Sequence, residues 1–134
     1  MATIKRFEEI EAWQKARELA KQVFKISNQG KFGSDFKLKN QINSASCSCM
    51  DNIAEGFGRG GRSEFVNFLS VANDSINEVK SQLYCALDRE YMNEETFKEL
   101  YELAETTSNK IGNLMNYLNK TKIAGQKFKD CTDI

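Results

Sequence analysis

Four long stretches of apolar residues at helical spacing, in a chain without proline, most constrain how this sequence can fold. Proline is the commonest helix breaker, so its absence favours long uninterrupted helices. The spacing predicts helices over residues 7–28, 35–56, 64–90 and 94–120. The expected fold is therefore all-α: an up-down-up-down antiparallel four-helix bundle over residues 1–120, followed by a flexible tail over 121–134.

Polar residues just before each apolar stretch suggest where the helices begin. The expected N-caps are Ser34 or Asp35, Ser63 and Asn93. In the first helix the residues expected to face the core are Ile10, Trp13, Ala16, Ala20, Val23 and Phe24.

The composition excludes several classes of function. The 19 basic and 19 acidic residues balance, so no overall charge draws the chain to nucleic acid or to a membrane. The chain has no histidine, and its four cysteines lack the spacing of metal ligands, so no cofactor or metal is expected. With no signal peptide and no apolar run of the ~20 residues that span a membrane, we expect a cytoplasmic protein with reduced thiols and no membrane partner.

The stretch NIAEGFGRGGRSEF at residues 52–65 holds four of the eight glycines, Gly56, Gly58, Gly60 and Gly61. It contains G-x-G-x-x-G, but a dinucleotide fingerprint follows a strand, and here an amphipathic helix precedes it. A Walker loop would end in Gly-Lys-Ser/Thr, and an RNA-binding arginine–glycine tract would be longer and repetitive. The favoured interpretation is a helix–helix turn, in which Gly56 or Gly58 takes the left-handed conformation, Gly60 and Gly61 reverse the chain into Ser63, and Phe57 packs back onto the core.

Glu55 lies beside the arginines of this turn. A structural ion pair with Arg59 or Arg62 is the favoured role, and a catalytic carboxylate is the alternative. Catalysis needs a second polarised group in a cleft, and the sequence offers none. We therefore expect no enzymatic activity.

An up-down bundle would bring basic residues together at one end. That end would hold the start of the first helix, the turn after the second and the end of the fourth. The candidate phosphate-binding residues are Lys5, Arg6, Arg59, Arg62, Lys120 and Lys122. The alternative is that these are scattered, solvated charges.

The outer sides of the second and third helices carry short polar side chains, unlike the long charged ones on the first and fourth. Short side chains lose little rotamer entropy when they become ordered, and they let backbones approach closely. A contact between subunits is the favoured interpretation, and a neutral surface is the alternative. The candidate interface residues are Asn40, Ser44, Cys47, Asp51, Val66, Asn67, Ser70, Val71, Asp74, Asn77, Ser81 and Tyr84.

Three segments carry a resemblance to a known family: RFEEIEAWQKARELA near the start, NIAEGFGR with SEFVNF at residues 52–59 and 63–68, and QLYCALDREY. Over roughly residues 4–120 the chain resembles the bacterial 23S rRNA intervening-sequence proteins, also called the S23 ribosomal protein family. The family typically has an arginine-rich segment and a proline near the middle of the second helix. This chain instead has Asn43, Ser44 and the Cys47–Cys49 region there, with less positive charge.

The resemblance implies a homopentameric ring of antiparallel bundles without enzymatic activity. The family is also similar to the accessory protein of diversity-generating retroelements, a basic pentamer that binds nucleic acid and a reverse transcriptase. Structured RNA or a nucleic-acid-processing protein is accordingly the expected partner, besides a second copy of the chain. The alternative function is a protein-binding oligomeric scaffold that presents its first and fourth helices and has no nucleic-acid affinity.

Overall fold

The computed structural model describes residues 4–120, and these residues are helical without any strand. A single 3-10 turn, Phe7–Glu9, precedes the α-helices. The α-helices of the described range are α1 (Glu11–Ser27), α2 (Gly30–Ser34), α3 (Phe36–Arg59), α4 (Arg62–Asp88) and α5 (Glu94–Lys120). Within this range each helix falls short of the apolar length that a membrane crossing requires.

The four long helices form a bundle in which each contacts two others. Helix α3 packs against α1 and α4, and α5 packs against α4 and α1. The short helix α2 lies in the connection between α1 and α3 and contacts both. The all-helical expectation is confirmed, with α2 as an additional element where the sequence predicted a loop.

One hydrophobic core runs through the bundle. The side chains that are at most 1% exposed include Leu19, Val23, Ile42, Ile53, Phe65, Leu69, Ile76, Leu83, Ile111, Leu114 and Leu118. Phe32 of α2 joins this core and stacks on Tyr91, with ring centroids 5.2 Å apart. Burial of the phenylalanine is what holds the short helix in place.

Phe24 was expected to face the core and does not. Its side chain is 63% exposed, whereas Val23 and Leu19 are buried. Successive helical residues are about 100° apart around the axis, so Phe24 falls beyond the edge of a stripe centred on Val23. The inward assignment of Phe24 was wrong.

Side-chain caps fix the starts of α3 and α5. The backbone N–H of Leu38 donates to Asp35 Oδ1 over 3.2 Å, and that of Thr96 donates to Asn93 Oδ1 over 2.8 Å. Each carboxylate or amide oxygen satisfies a backbone donor that has no partner within its helix. The predictions of Asp35 and Asn93 as N-caps are confirmed.

Asp35 also joins two distant parts of the chain. Its Oδ2 accepts hydrogen bonds from the Tyr91 hydroxyl over 2.8 Å and from Arg89 Nη1 over 2.7 Å. These donors, with the N–H of Leu38, lower the pKa of Asp35, and the Tyr91 hydroxyl contributes most. The start of α3 is thereby tied to the segment between α4 and α5.

Candidate nucleic-acid interface

The glycine-rich stretch is the end of α3 and the start of α4. Helix α3 continues through Gly56 and Gly58 to Arg59, three residues past its expected end. Gly60 has φ of 84°, the left-handed conformation that ends a helix. Gly61 is extended and occupies the N-cap of α4, without a side-chain cap. The left-handed glycine is therefore Gly60 rather than Gly56 or Gly58, and the assignment of Ser63 as N-cap was wrong because α4 begins before it.

Gly56 has a packing role. A Cβ atom placed on it would lie 2.6 Å from the Cβ of Phe68, closer than real Cβ atoms come, and 3.0 Å from Cδ1 of Phe65, which is a tight contact. Nearby, Phe57 is half-buried against the core and meets Phe65 edge-on, with ring centroids 6.0 Å apart. Helices α3 and α4 can approach this closely only because position 56 has no side chain.

Arg59 is held on the outer side of the turn. Its Nη2 lies 2.8 Å from Oε2 of Glu55, one helical turn earlier, and its guanidinium lies 5.1 Å from the ring centroid of Phe68. The hydrogen bond and charge of Glu55 raise the pKa of Arg59. Glu55 thus forms the ion pair that was its favoured role. The pair is about half-exposed, so it orients the guanidinium and contributes little stability.

The other candidate cations differ in how far they are already neutralised. Arg6 Nη2 lies 2.9 Å from Glu8 Oε2, and the backbone N–H of Lys5 donates to Glu9 over 3.2 Å. Arg62, the first residue of α4, is half-buried and forms no ion pair within residues 4–120. Lys120 is exposed at the last residue of α5, and Lys122 lies outside the described residues. Their gathering at one end of the bundle stays a prediction.

The candidate interface residues lie on the open side of α3 and α4, which is the side that faces away from the core of the bundle. All but the half-buried Val66 are exposed in the single chain, and Val71 and Tyr84 are 47% and 50% exposed. Tyr84 also packs on Phe97 of α5, with ring centroids 4.8 Å apart. A groove of about 370 Å³ runs between the two helices and is lined by Asn40, Gln41, Ser44, Ala45, Ser48, Glu78 and Gln82.

Gln82 contributes an unsatisfied hydrogen-bond acceptor to this groove. Its Oε1 is buried and has no hydrogen-bond partner in the described part of the chain. A buried acceptor without a donor is costly, and a donor from another molecule would remove that cost.

Sequence reasoning missed a second basic surface, near the connection from α1 to α3. Residues 19–50 contain five lysines and a single acidic residue, Asp35. Two of the most exposed large apolar side chains of the described range, Phe24 and Phe36, belong to the same segment. This local excess is visible in a count of charge along the sequence, although the charge of the whole chain is balanced.

Comparison with known proteins places this fold. The family described as 23S rRNA-intervening sequence protein matches residues 8–113. A crystal structure of a protein of unknown function from the S23 ribosomal protein family of Bacteroides thetaiotaomicron VPI-5482 superposes with a TM-score of 0.71 at 20% identity, covering 78% of this chain and 97% of that one. No curated protein sequence matches the chain.

Proposed function

The chain belongs to the 23S rRNA-intervening sequence protein family, and we propose that it acts as a non-enzymatic, oligomeric accessory module for nucleic acid or ribonucleoprotein. The observation that carries this proposal is the α3–α4 turn, where Arg59 and Arg62 flank Gly60 and Gly61 and Arg59 is oriented by its neighbours. Arginine guanidinium groups match phosphate oxygens in geometry and charge. The family description refers to an intervening sequence of 23S rRNA, which favours RNA as the nucleic acid.

We infer that the long helices alternate in direction, which would collect the candidate cations at one end. Contacts between α4 and α5 support this. Residues earlier in α4 contact residues farther along α5, and residues near the end of α4 contact residues near the start of α5, as expected for antiparallel helices. The pairs are Asn73 with Ser108, Lys80 with Glu105, and Tyr84 with Phe97.

Contacts near the chain start support the same arrangement. Lys110 of α5 lies 2.6 Å from Glu11, the first residue of α1, and the Phe7–Glu9 turn packs against α3. An alternating bundle would then place Lys5, Arg6, the α3–α4 turn and Lys120 at a common end.

Phosphate would replace existing partners at this end. Arg6 and Arg59 are paired with Glu8 and Glu55, so a phosphate oxygen must compete with a carboxylate at each. Both pairs are about half-exposed or more, and ion pairs in contact with solvent contribute little stability, so exchange costs little. Arg62 has no such competitor within the described range. These groups would act as sequence-independent contacts to the backbone.

Self-association along α3 and α4 would bring the basic ends of several subunits into one assembly. The exposed side chains on this side are mostly short and uncharged, and cores of subunit interfaces are depleted of charge. The buried Gln82 Oε1 would gain a donor from a second copy. We propose that the oligomer is a homopentamer, as the family resemblance implies.

The arginines can be tested with a pair of opposed variants. Arg59→Ala with Arg62→Ala should weaken binding to unrelated structured RNAs alike and reduce the salt slope of log K by about one for each lost phosphate contact. Glu55→Gln removes the charge that competes for Arg59 and should strengthen binding. If both variants bind RNA as the wild type does, the turn is not the phosphate contact.

A second candidate function is a protein-binding scaffold that presents α1 and α5. It is favoured by the zero net charge and by the glutamates of α5, where Glu94, Glu95, Glu99 and Glu102 are exposed. Pull-downs with and without nuclease separate the two functions. Partners held through nucleic acid are lost after nuclease treatment, whereas partners of a protein scaffold remain.

A further inference from the structure

The connection from α1 to α3 carries a dense local excess of positive charge. We call it the α1–α3 corner, defined by Lys21, Phe24, Lys25, Lys31, Phe36, Lys37 and Lys39. Its five lysines form no ion pair within the described residues, in contrast to Arg6 and Arg59. A phosphate would therefore bind these lysines without having to displace a carboxylate.

The acidic residue of this segment is already bonded to other groups. The carboxylate of Asp35 engages the N–H of Leu38, the Tyr91 hydroxyl and Arg89, so its charge is offset by an arginine of another element. Glu90, the acidic residue between α4 and α5, lines a cavity with Ile26 and Gln29. Ile26 is about 200° around the axis of α1 from Phe24, so this cavity is on another side of the helix. The excess of the corner is thus not cancelled from within.

Contacts in the bundle hold the parts of the corner together. Asn43 Nδ2 of α3 donates to Ser27 Oγ at the end of α1 over 2.8 Å and also to the carbonyl of Lys39. Helix α2, which carries Lys31, contacts both α1 and α3. Lys21, Phe24 and Lys25 share one side of α1 because residues three and four apart are neighbours on a helix.

Two exposed phenylalanine rings belong to the α1–α3 corner together with these lysines. Phe24 and Phe36 are 63% and 68% exposed, and Lys39 Nζ lies 5.8 Å from the ring centroid of Phe36. An isolated exposed phenylalanine is unremarkable, but two within one cationic surface form the combination that single-stranded nucleic acids bind. The lysines meet the phosphates, and each ring offers a face on which an unpaired base can stack.

We propose that the α1–α3 corner binds single-stranded nucleic acid, with Phe24 and Phe36 stacking on bases and the lysines contacting the backbone. The inference rests on the proposed nucleic-acid function and assigns it a second surface, distinct from the α3–α4 turn. An anionic membrane fits the corner less well, because a membrane-binding helix needs a continuous apolar stripe. Here the two rings lie on different helices, and Val23 and Leu38 beside them are buried.

The test measures binding of a fluorescent oligouridylate and of an abasic oligomer of equal length. Phe24→Ala with Phe36→Ala should lose at least about fivefold in affinity for oligouridylate per stacked base and leave abasic binding unchanged. Lys25→Gln with Lys37→Gln should weaken both ligands and lower the salt slope by about 0.7 per lysine. Lys15→Gln with Lys98→Gln, exposed or half-exposed lysines elsewhere, is the matched control and should bind as wild type. Because the replaced side chains are exposed, circular dichroism should show unchanged folding.

The outcomes separate the two proposals. If wild type binds no RNA of any kind, the proposed function fails and the corner proposal fails with it. If wild type binds RNA and loses it with the Arg59 and Arg62 variant but not with either corner variant, only the corner proposal is overturned. Binding of the corner to anionic phosphatidylglycerol vesicles or to polyglutamate, without binding to oligouridylate, would overturn it as well.

Discussion

Gly56 and Phe68 approach so closely across the α3–α4 contact that a Cβ atom on Gly56 would lie 2.6 Å from the Cβ of Phe68. The neighbouring Gly58 would meet nothing within 4 Å. Two glycines two residues apart in one helix therefore differ in what they do. Gly56 allows α3 and α4 to come into close contact. Gly58 makes no such contact, and a residue with a side chain would favour the helix more at that position.

Alanine substitution should separate the two glycines. Gly56→Ala should lower the free energy of unfolding by about 1–2 kcal/mol, because overpacking outweighs the gain in helix propensity. Gly58→Ala should raise it by about 0.5–1 kcal/mol, since the new methyl group meets open space. Urea unfolding of both variants measures the difference. Equal effects at the two positions would refute the close contact.

The hydrogen bonds and ion pair of Asp35 should make the free energy of unfolding depend on pH. Its pKa is lowered in the folded chain, chiefly by the Tyr91 hydroxyl, so the folded state binds fewer protons than the unfolded state. The stabilisation is present above the pKa of an unfolded aspartate, about 3.9, and is lost as pH falls through the folded pKa. Asp35→Asn should thus be less stable than wild type at pH 7, with the gap closing below about pH 4.

Urea midpoints between neutral and acid pH measure this gap. Glu99→Gln is the control, because Glu99 is exposed, lies outside the candidate interface and forms no ion pair in the described range. A gap between Asp35→Asn and wild type that stays constant as pH falls would contradict the role assigned to the carboxylate.

Much of the local structure could be predicted from the sequence. Asp35 and Asn93 act as caps because their side chains bond backbone donors nearby, and Glu55 and Arg59 pair because they are one helical turn apart. Such interactions depend only on residues close in the chain.

The remainder depended on tertiary contacts. Gly56 has a packing role because Phe68, which lies on another helix, approaches it closely, and it is Gly60 that ends α3. Phe24 lies beyond the edge of the buried stripe of α1, and the packing of α1 against its neighbours sets where that stripe is centred. The α1–α3 corner was missed for a different reason, since its five lysines are visible in the sequence but are balanced by acids elsewhere.

The cysteines should differ sharply in reactivity. Cys49 is buried, and burial raises its pKa to about 12, so few of its thiols are ionised near neutral pH. Cys85 is exposed and free. Brief treatment of the native protein with iodoacetamide, followed by peptide mass spectrometry, should show Cys85 modified and Cys49 unmodified until urea is added. Rapid labelling of native Cys49 would show that the core opens there.

Self-association should depend on the open side of α3 and α4. Val71→Lys places a charge on a residue that is 47% exposed, so it should leave the single chain folded and dissociate the oligomer. Thr106→Lys, at an exposed position of α5, is the control and should retain the oligomer. Sedimentation velocity gives the masses, and Cys47 should become accessible to iodoacetamide only in Val71→Lys. An unchanged mass for Val71→Lys would place the interface elsewhere.

The most direct measurement of the central claim, that this bundle binds nucleic acid through phosphate contacts, is a salt titration of wild-type protein with two unrelated structured RNAs followed by fluorescence anisotropy. We predict that log K falls linearly with log salt concentration and that both RNAs give the same slope, because the contacts are to the backbone. Absence of binding at low ionic strength, or binding that is insensitive to salt, would contradict the claim.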